Sequence, residues 1–425
     1  VRIVFLCDQY PPVVWDGAGT YTHAAAHALA GLGHDVHVVA CEGRRWEETV
    51  DGGVSVHRRP ALTIPVTKVL GPFRRLVIGA DNPRDSLSVR ASLALSYAFW
   101  MRVLDLRPDL VETQDGETRG LSIALRHSVP LVIYLHTPTM LDVRLRGPLS
   151  LRGRIADRID RLSSDRADVL TSPSQLLVDT LRQFGWLDGK VPEIIPPPAP
   201  PGDWAEVASA DSTDPVVLSA GRVEWRKGGD VLVDALARID GAGDVEALFA
   251  GSSAGRMEGR PFIDWLADRA DAVGVRCRFA GPVPRADMAD LYARSRVVAV
   301  SSRFENFSTV AVEAMASGRP VVCSSSGGIA SLIERSGAGT VVPPGDPAAL
   351  AEALAPFLAS PEKAAEVGER GRAAVRRELD PEVVARRREA AYTKAIAHHR
   401  RTRSESARRR SRVAPWTSWV KQARS

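Results

Sequence analysis

Glu305 and Glu313 are acidic residues with seven others between them, in the stretch ENFSTVAVE. Upstream, Arg222 and Lys227 stand five apart in GRVEWRKGG. Glycine there frees the backbone for close approach, and a helix beginning near Asp230 favours anions at its N-terminus. A planar guanidinium and a compact ammonium in such a loop can neutralise a diphosphate. Standing alone, the two also read as solvated surface cations, and Glu305 as a surface-loop carboxylate. Ser308 and Thr309 introduce an alanine-rich helical run, whose first-turn N–H groups lack partners inside the helix and suit a phosphate or a hydroxyl. Both are equally ordinary N-cap residues. A helix starting near Thr309 puts Thr309 and Glu313 on one face.

These residues lie in βα crossings. The apolar run 297–300 is a strand, 301–307 a polar loop, 309–317 a helix and 321–323 the next strand. Strand 216–220 precedes the Arg222–Lys227 loop and helix 230–239 follows it. Strands 246–250, 276–280 and 340–342 complete this half, with helices 261–273, 285–294, 347–358 and 361–375 between or after them. Several of these strands end in Gly or Ser, and open α/β sheets bind ligands at that edge. The first half repeats the pattern: strands 1–7, 35–40, 110–113, 130–135 and 169–172, and helices 21–32, 87–106, 121–126, 152–163 and 176–184. Residues 51–85 carry no clear assignment. Strand 130–135 ends at His136, either a ligand contact at the loop-gathering edge or a packing histidine. The opening βαβ unit has Gly17 and Gly19 but not G-x-G-x-x-G, which argues against a dinucleotide cofactor. PPPAPP at 196–201 cannot sit inside a sheet and marks the domain boundary. Two doubly wound halves with a cleft between them are expected.

The 425 residues suit two or three domains, and 44% hydrophobic residues suffice for packed cores. Cys7, Cys41, Cys277 and Cys323 lie far apart without metal-ligand spacing, as buried thiols of a reducing compartment would. No window is long and apolar enough to span a membrane, and a cytoplasmic location is expected. Net charge is +5, but residues 397–425 hold eight Arg and one Lys against one Glu, a net of +8 that leaves −3 for the rest. A basic tail on an acidic body argues against nucleic-acid binding. Trp416, Trp419 and the arginines of that tail could meet an anionic membrane surface, or the tail is solvated and disordered.

Taken in register, these segments resemble the retaining glycosyltransferases of the GT-B fold, family 4. YPPVVWDGAGTYT with GHDVHVV looks like the family's N-terminal glycine loop and second strand. GRVEWRKGGDVLVDAL looks like its G-R-x5-K-G-x-D-x-L segment. ENFSTVAVE carries its E-x7-E spacing, and GG followed by VVPPGDPAALAEAL its closing segment. The resemblance implies an α/β GT-B architecture: an acceptor domain over 1–200, a linker over 201–215, and a donor domain over 216–380. A helix over 381–400 would return to the first domain, followed by a basic tail over 401–425. It implies transfer of a sugar from a nucleotide-diphosphate sugar, UDP-sugar favoured, to a hydroxyl acceptor such as an envelope lipid, a glycan or a secondary-metabolite aglycone. Retention of configuration, no metal and no cofactor are expected. Arg222 and Lys227 would grip the diphosphate and Glu313 the ribose. Glu305, with backbone N–H groups of Asn306, Phe307, Ser308 and Thr309, would hold the donor sugar. Gly17 and Gly19 would approach sugar or phosphate, and His136 the reacting sugar or the acceptor.

The chain departs from the family pattern at Asp16, where a glycine is usual, and at Ser308, another usual glycine. The acidic residue usual after the double glycine is missing from GGIASLIE. A GT-B nucleotide-sugar 2-epimerase or a silent sugar-nucleotide binder would share much of the pattern; GRVEWRKG favours the transferase.

Overall fold

In the computed structural model, residues 1–12, 17–41, 46–62, 87–116, 119–136, 138, 141, 144, 148–149, 151–200, 202, 204–239 and 244–413 are described. They form two units, one of Val1–Ser172, Leu181–Ile195 and Ala385–Ser425, the other of Pro173–Thr180 and Pro196–Val384.

The first unit is built around β1 (Arg2–Cys7), whose apolar side chains are buried on both faces. The sheet also contains β2 (Asp35–Cys41), β3 (Glu47–Asp51), β4 (Val54–Arg59), β5 (Leu110–Gln114), β6 (Leu131–Tyr134), β7 (Val169–Ser172) and β8 (Glu193–Ile194). Its order is β3-β4-β2-β1-β5-β6-β7-β8, parallel except for the β3–β4 hairpin. β3 and β4 fall partly in the stretch that resisted assignment from sequence; EETVD is polar and its side chains stay largely exposed at the sheet edge. Residues 63–86 lie outside the described residues.

The chain's last helix, Pro381–Val413, supplies part of the first unit's core: Ala385, Tyr392 and Ala395 pack with Ile3, Phe5, Tyr21 and Tyr134. It also brings Arg388, 1% exposed, to the equally buried Glu112 of β5 at 2.9 Å and 3.1 Å. The hydroxyls of Tyr21 and Tyr392 donate to the same carboxylate, and the guanidinium lies 4.8 Å and 5.0 Å from the Tyr21 and Tyr134 ring centres. The Glu112 carboxylate is thus fully engaged, whereas Arg388 Nε and Nη2 are buried without a hydrogen-bond partner among the described residues, and the guanidinium is held there by the carboxylate and the tyrosine rings. The helix runs to Val413, past the end expected near 400, so the first part of the basic tail is helical, because Arg, Ser, Glu and Ala continue the run without a breaker. Trp416 and Trp419 lie outside the described residues. Among the described residues no helix is long and apolar enough to cross a membrane.

The second unit holds a short antiparallel ribbon, β11 (Arg256–Met257) with β12 (Arg260–Pro261), and a main sheet parallel throughout: β13 (Arg276–Gly281), β10 (Glu246–Ala250), β9 (Val216–Ala220), β14 (Val297–Val300), β15 (Val321–Ser324) and β16 (Gly339–Val342), in that order. The apolar strands are sandwiched between two clusters, one around Leu232, Phe262 and Leu354, the other around Met315, Ile333 and Tyr292. Helix ends follow local chemistry. Asp346 caps Pro347–Ala359 by accepting from Ala348 and Ala349, and Ser360 caps Pro361–Glu378. From β9 the chain winds outward through β10 and β13, then returns to place β14 on the other side of β9. That reversal opens a crevice at the C-terminal ends of β9 and β14. The first unit reverses in the same way between β1 and β5.

Candidate active site

The loop after β9 begins at Gly221, with φ +114°, and reaches a 3-10 turn, Trp225–Lys227, that ends on Gly228 at φ +71°. A side chain at Gly228 is excluded twice, by that φ and because a Cβ would lie 2.1 Å from the Ser301 carbonyl oxygen. The two loops of the crevice therefore touch backbone to backbone. Ser301 Oγ donates to the Gly228 carbonyl at 2.8 Å, and the Arg303 N–H to the Arg226 carbonyl at 2.8 Å. Arg303 also clamps Asp230 through two bonds of 2.9 Å and 2.7 Å and lies 4.2 Å from the Trp225 ring centre.

This lacing carries Lys227 directly onto Glu305, whose carboxylate accepts from its ammonium. Glu305 is anchored by its backbone, donating to Ser326 at 3.0 Å and accepting from Gly328 at 2.8 Å. Arg226, which sequence reasoning passed over, lies 3.9 Å from the same carboxylate and donates to the Phe304 carbonyl at 3.0 Å. Arg222 joins through Glu224, 3.3 Å away, which also pairs with Arg226 at 2.8 Å. Arg222, Glu224, Arg226, Glu305 and Lys227 form one chain of alternating charge. Its ends differ: Arg222 is 56% exposed, whereas Lys227 and Glu305 are mostly buried.

The next helix, Thr309–Ala316, is capped by Ser308, whose Oγ accepts from Ala311 at 3.2 Å. The Phe307 N–H is taken by Asn306 Oδ1 at 2.6 Å, so it is not among the amides offered outward. Asn306, Phe307 and Ser308 are buried, and Thr309 opens the helix. Glu313 sits one turn further on, 4% exposed. Burial pushes its carboxyl above the usual carboxylate range, while Arg285 at 3.0 Å and the Tyr292 hydroxyl at 2.8 Å pull it back. Arg285 and Tyr292 were not foreseen; Tyr292 lies more than a full crossing away in sequence, and nothing local marks it as a carboxylate partner.

In the first unit, Gly17 opens the helix Gly17–Gly31, and a Cβ there would lie 3.7 Å from His136 Nε2. The His136 N–H donates to Asp115 Oδ1 at 2.8 Å, and its half-buried ring lies beyond β6. Gly19 is buried in the helix. Asp8, just past β1, accepts from Tyr97 Oη at 2.6 Å and pairs with Arg119. Asp8, Asp115 and Arg119 therefore gather at the first unit's own reversal, without a motif to announce them. Asp16 lies outside the described residues. All four cysteines are free thiols. Among the described residues, both groups of three side chains able to hold a metal ion lie in the first unit.

Comparison with known proteins identifies the family. A family profile described as glycosyl transferases group 1 matches residues 203–374, and one described as a glycosyl transferase 4-like domain matches 16–198. A D-inositol 3-phosphate glycosyltransferase of Xylanimonas cellulosilytica is 31% identical over 276 residues, covering 61% of this chain and 65%, just under two thirds, of that relative. A glycogen synthase of Mycobacterium tuberculosis is 27% identical, covering 85% of this chain and 87% of its own length. Among solved structures, sucrose-phosphate synthase from Thermosynechococcus elongatus superposes with a TM-score of 0.73 at 23% identity, over 93% of this chain and 99% of that one. HepE of Anabaena, solved with UDP and glucose, gives 0.63 at 20% identity, over 92% of this chain and 99% of its own. With matching profiles over both halves and the two-unit α/β architecture of these structures, the chain belongs to the group 1, family 4-like glycosyltransferases of the GT-B fold.

Proposed function

We propose that this glycosyltransferase takes its sugar from a nucleoside-diphosphate sugar, with UDP as the favoured nucleotide, and retains anomeric configuration. The observation that carries the reading is the Lys227–Glu305 pair at the β9/β14 reversal, with Arg226 and Arg222 behind it and buried Glu313 on the following helix. Lys227 keeps two N–H donors beyond the one given to Glu305, and these serve diphosphate oxygens. Arg222 and Arg226 add charge that stabilises the leaving group as the glycosidic bond breaks. Glu313 accepts from ribose hydroxyls; its burial makes that hydrogen bond strong and its absence costly. Glu305 positions the donor sugar, helped by backbone N–H groups of Asn306, Ser308 and Thr309, the Phe307 N–H being held by Asn306 Oδ1.

The acceptor hydroxyl attacks the anomeric carbon on the face from which the diphosphate leaves, and the departing phosphate oxygen takes the hydroxyl proton. No protein nucleophile and no metal are assigned to this step. His136, with Gly17 and Gly19, is assigned to the sugar and acceptor side. HepE's complexes with UDP and UDP-glucose support the choice of nucleotide by relationship. The acceptor belongs to the hydroxyl class, and a cytoplasmic setting with the basic tail at an anionic membrane face fits its charge.

Thermal shift against a panel of nucleoside diphosphates, without added metal and with chelator, tests the donor site. A bound nucleotide raises the melting temperature by mass action. UDP is expected to give the largest shift, and Glu313→Ala and Lys227→Ala to lose it while remaining folded. No shift with any diphosphate would overturn the assignment. With a donor sugar in hand, the anomeric configuration of the product tests retention.

A further inference from the structure

All nine histidines of the chain lie in the first unit. Two of them, His23 and His27, are one turn apart on the helix Gly17–Gly31, so their rings leave the same face. Both aim Nε2 at one oxygen. His23 Nε2 is 3.3 Å and His27 Nε2 3.1 Å from Asp51 Oδ2, and the ring centres are 4.1 Å apart. Asp51 ends β3, at the turn into β4. The turn is shaped around the second ring. Gly52 has φ +53°, and a Cβ there would lie 2.6 Å from His27 Cε1, so the imidazole rests on bare backbone. Tyr10, fully buried, packs its ring 5.4 Å from that of His23.

The three ligand atoms lie within 4.8 Å of one another. Zinc bonded to nitrogen and oxygen at about 2.0–2.1 Å in a tetrahedron holds its ligand atoms roughly 3.3 Å apart. The two histidine–aspartate separations already match that edge. Two imidazoles and a carboxylate form a borderline N/O donor set that suits zinc over magnesium or calcium. The side chains are 20%, 30% and 42% exposed, which leaves an entry path and a fourth position for water. We propose that His23, His27 and Asp51 form a zinc site that staples the exposed edge strand β3, at its turn into β4, to the N-terminal helix. The site shares no residue with the donor-binding set, and its occupancy is independent of the glycosyl-transfer reading.

The test uses the full chain, freed of metal and then dialysed against zinc or cobalt(II) at neutral pH. One retained equivalent of zinc, tetrahedral absorption bands with cobalt, and a higher melting temperature with zinc are expected. His27→Ala and Asp51→Asn should each lose the equivalent and the bands, with far-UV circular dichroism unchanged. His399→Ala should keep both, since His399 belongs to a separate group with His127 and Asp168. If the wild-type chain retains no zinc, or if a His23→Ala/His27→Ala chain retains it, the proposal fails. Retention that depends on His399 rather than His27 would overturn it equally.

Discussion

Lys227 is the counter-ion of Glu305 and, in the proposed function, also the donor to a diphosphate, and the two roles can be separated by substitution. Lys227→Ala removes the ammonium and leaves a Glu305 carboxylate that is 13% exposed, with Arg226 3.9 Å away as a partial substitute. Breaking a fully buried pair costs about 3–5 kcal/mol, and the residual partner and solvent reduce that here to about 1–2 kcal/mol. A charge-assisted hydrogen bond to phosphate is worth about 1.5–3 kcal/mol, so affinity for the nucleoside diphosphate should fall roughly 10- to 100-fold. Adding Glu305→Ala removes the stranded charge. The double variant should therefore recover most of the lost stability in urea unfolding, yet calorimetric titration with UDP should show no recovery of binding. If binding returns with stability, Lys227 acts only as the counter-ion of Glu305. If Lys227→Ala binds as tightly as the parent, the diphosphate does not lie at this loop.

Three further outcomes follow from burial and geometry. Burial holds the folded Glu313 carboxyl above its unfolded value, so its contribution to stability is present at acid pH and is lost as pH rises through the folded value. Glu313→Gln should accordingly melt no lower than the parent at pH 7, with the difference closing toward pH 4, while nucleotide binding weakens; a large loss of stability at pH 7 would refute the sign. Gly228→Ala adds a Cβ 2.1 Å from the Ser301 carbonyl at a positive φ and should destabilise by about 2–5 kcal/mol in denaturant titration. Glu112→Gln strands the buried Arg388 guanidinium and should cost about 3–5 kcal/mol, measured on the first unit's unfolding transition, without touching the donor site.

What could be seen in the chain beforehand follows from how local each signal is. β9, β7 and the helix Leu121–Arg126 fall where the apolar runs and glycines put them, because strand burial and helix periodicity are written over a few neighbouring residues. Glu305 and Lys227 were legible as candidates, and their pairing required only the β9/β14 reversal. The β3–β4 hairpin escaped because EETVD offers no buried face, so the Asp-Gly-Gly turn has an apolar alternation on one side only. Arg285 and Tyr292 escaped because a buried carboxylate chooses partners by proximity in the fold, not along the chain. Arg388 illustrates the same limit: a helix over 381–400 was expected, but nothing near Arg388 points to Glu112 in β5.

That last helix has a consequence for synthesis. Until Ala385, Tyr392 and Ala395 emerge, the first unit lacks part of its apolar interior, and Glu112 has no guanidinium to neutralise it. At the usual pace of translation the wait after β8 lasts on the order of tens of seconds, during which Pro196–Val384 leaves the ribosome. The half made first is thus completed last. A nascent chain stalled before the final helix should engage chaperones through its amino-terminal portion, while the second unit is already closed.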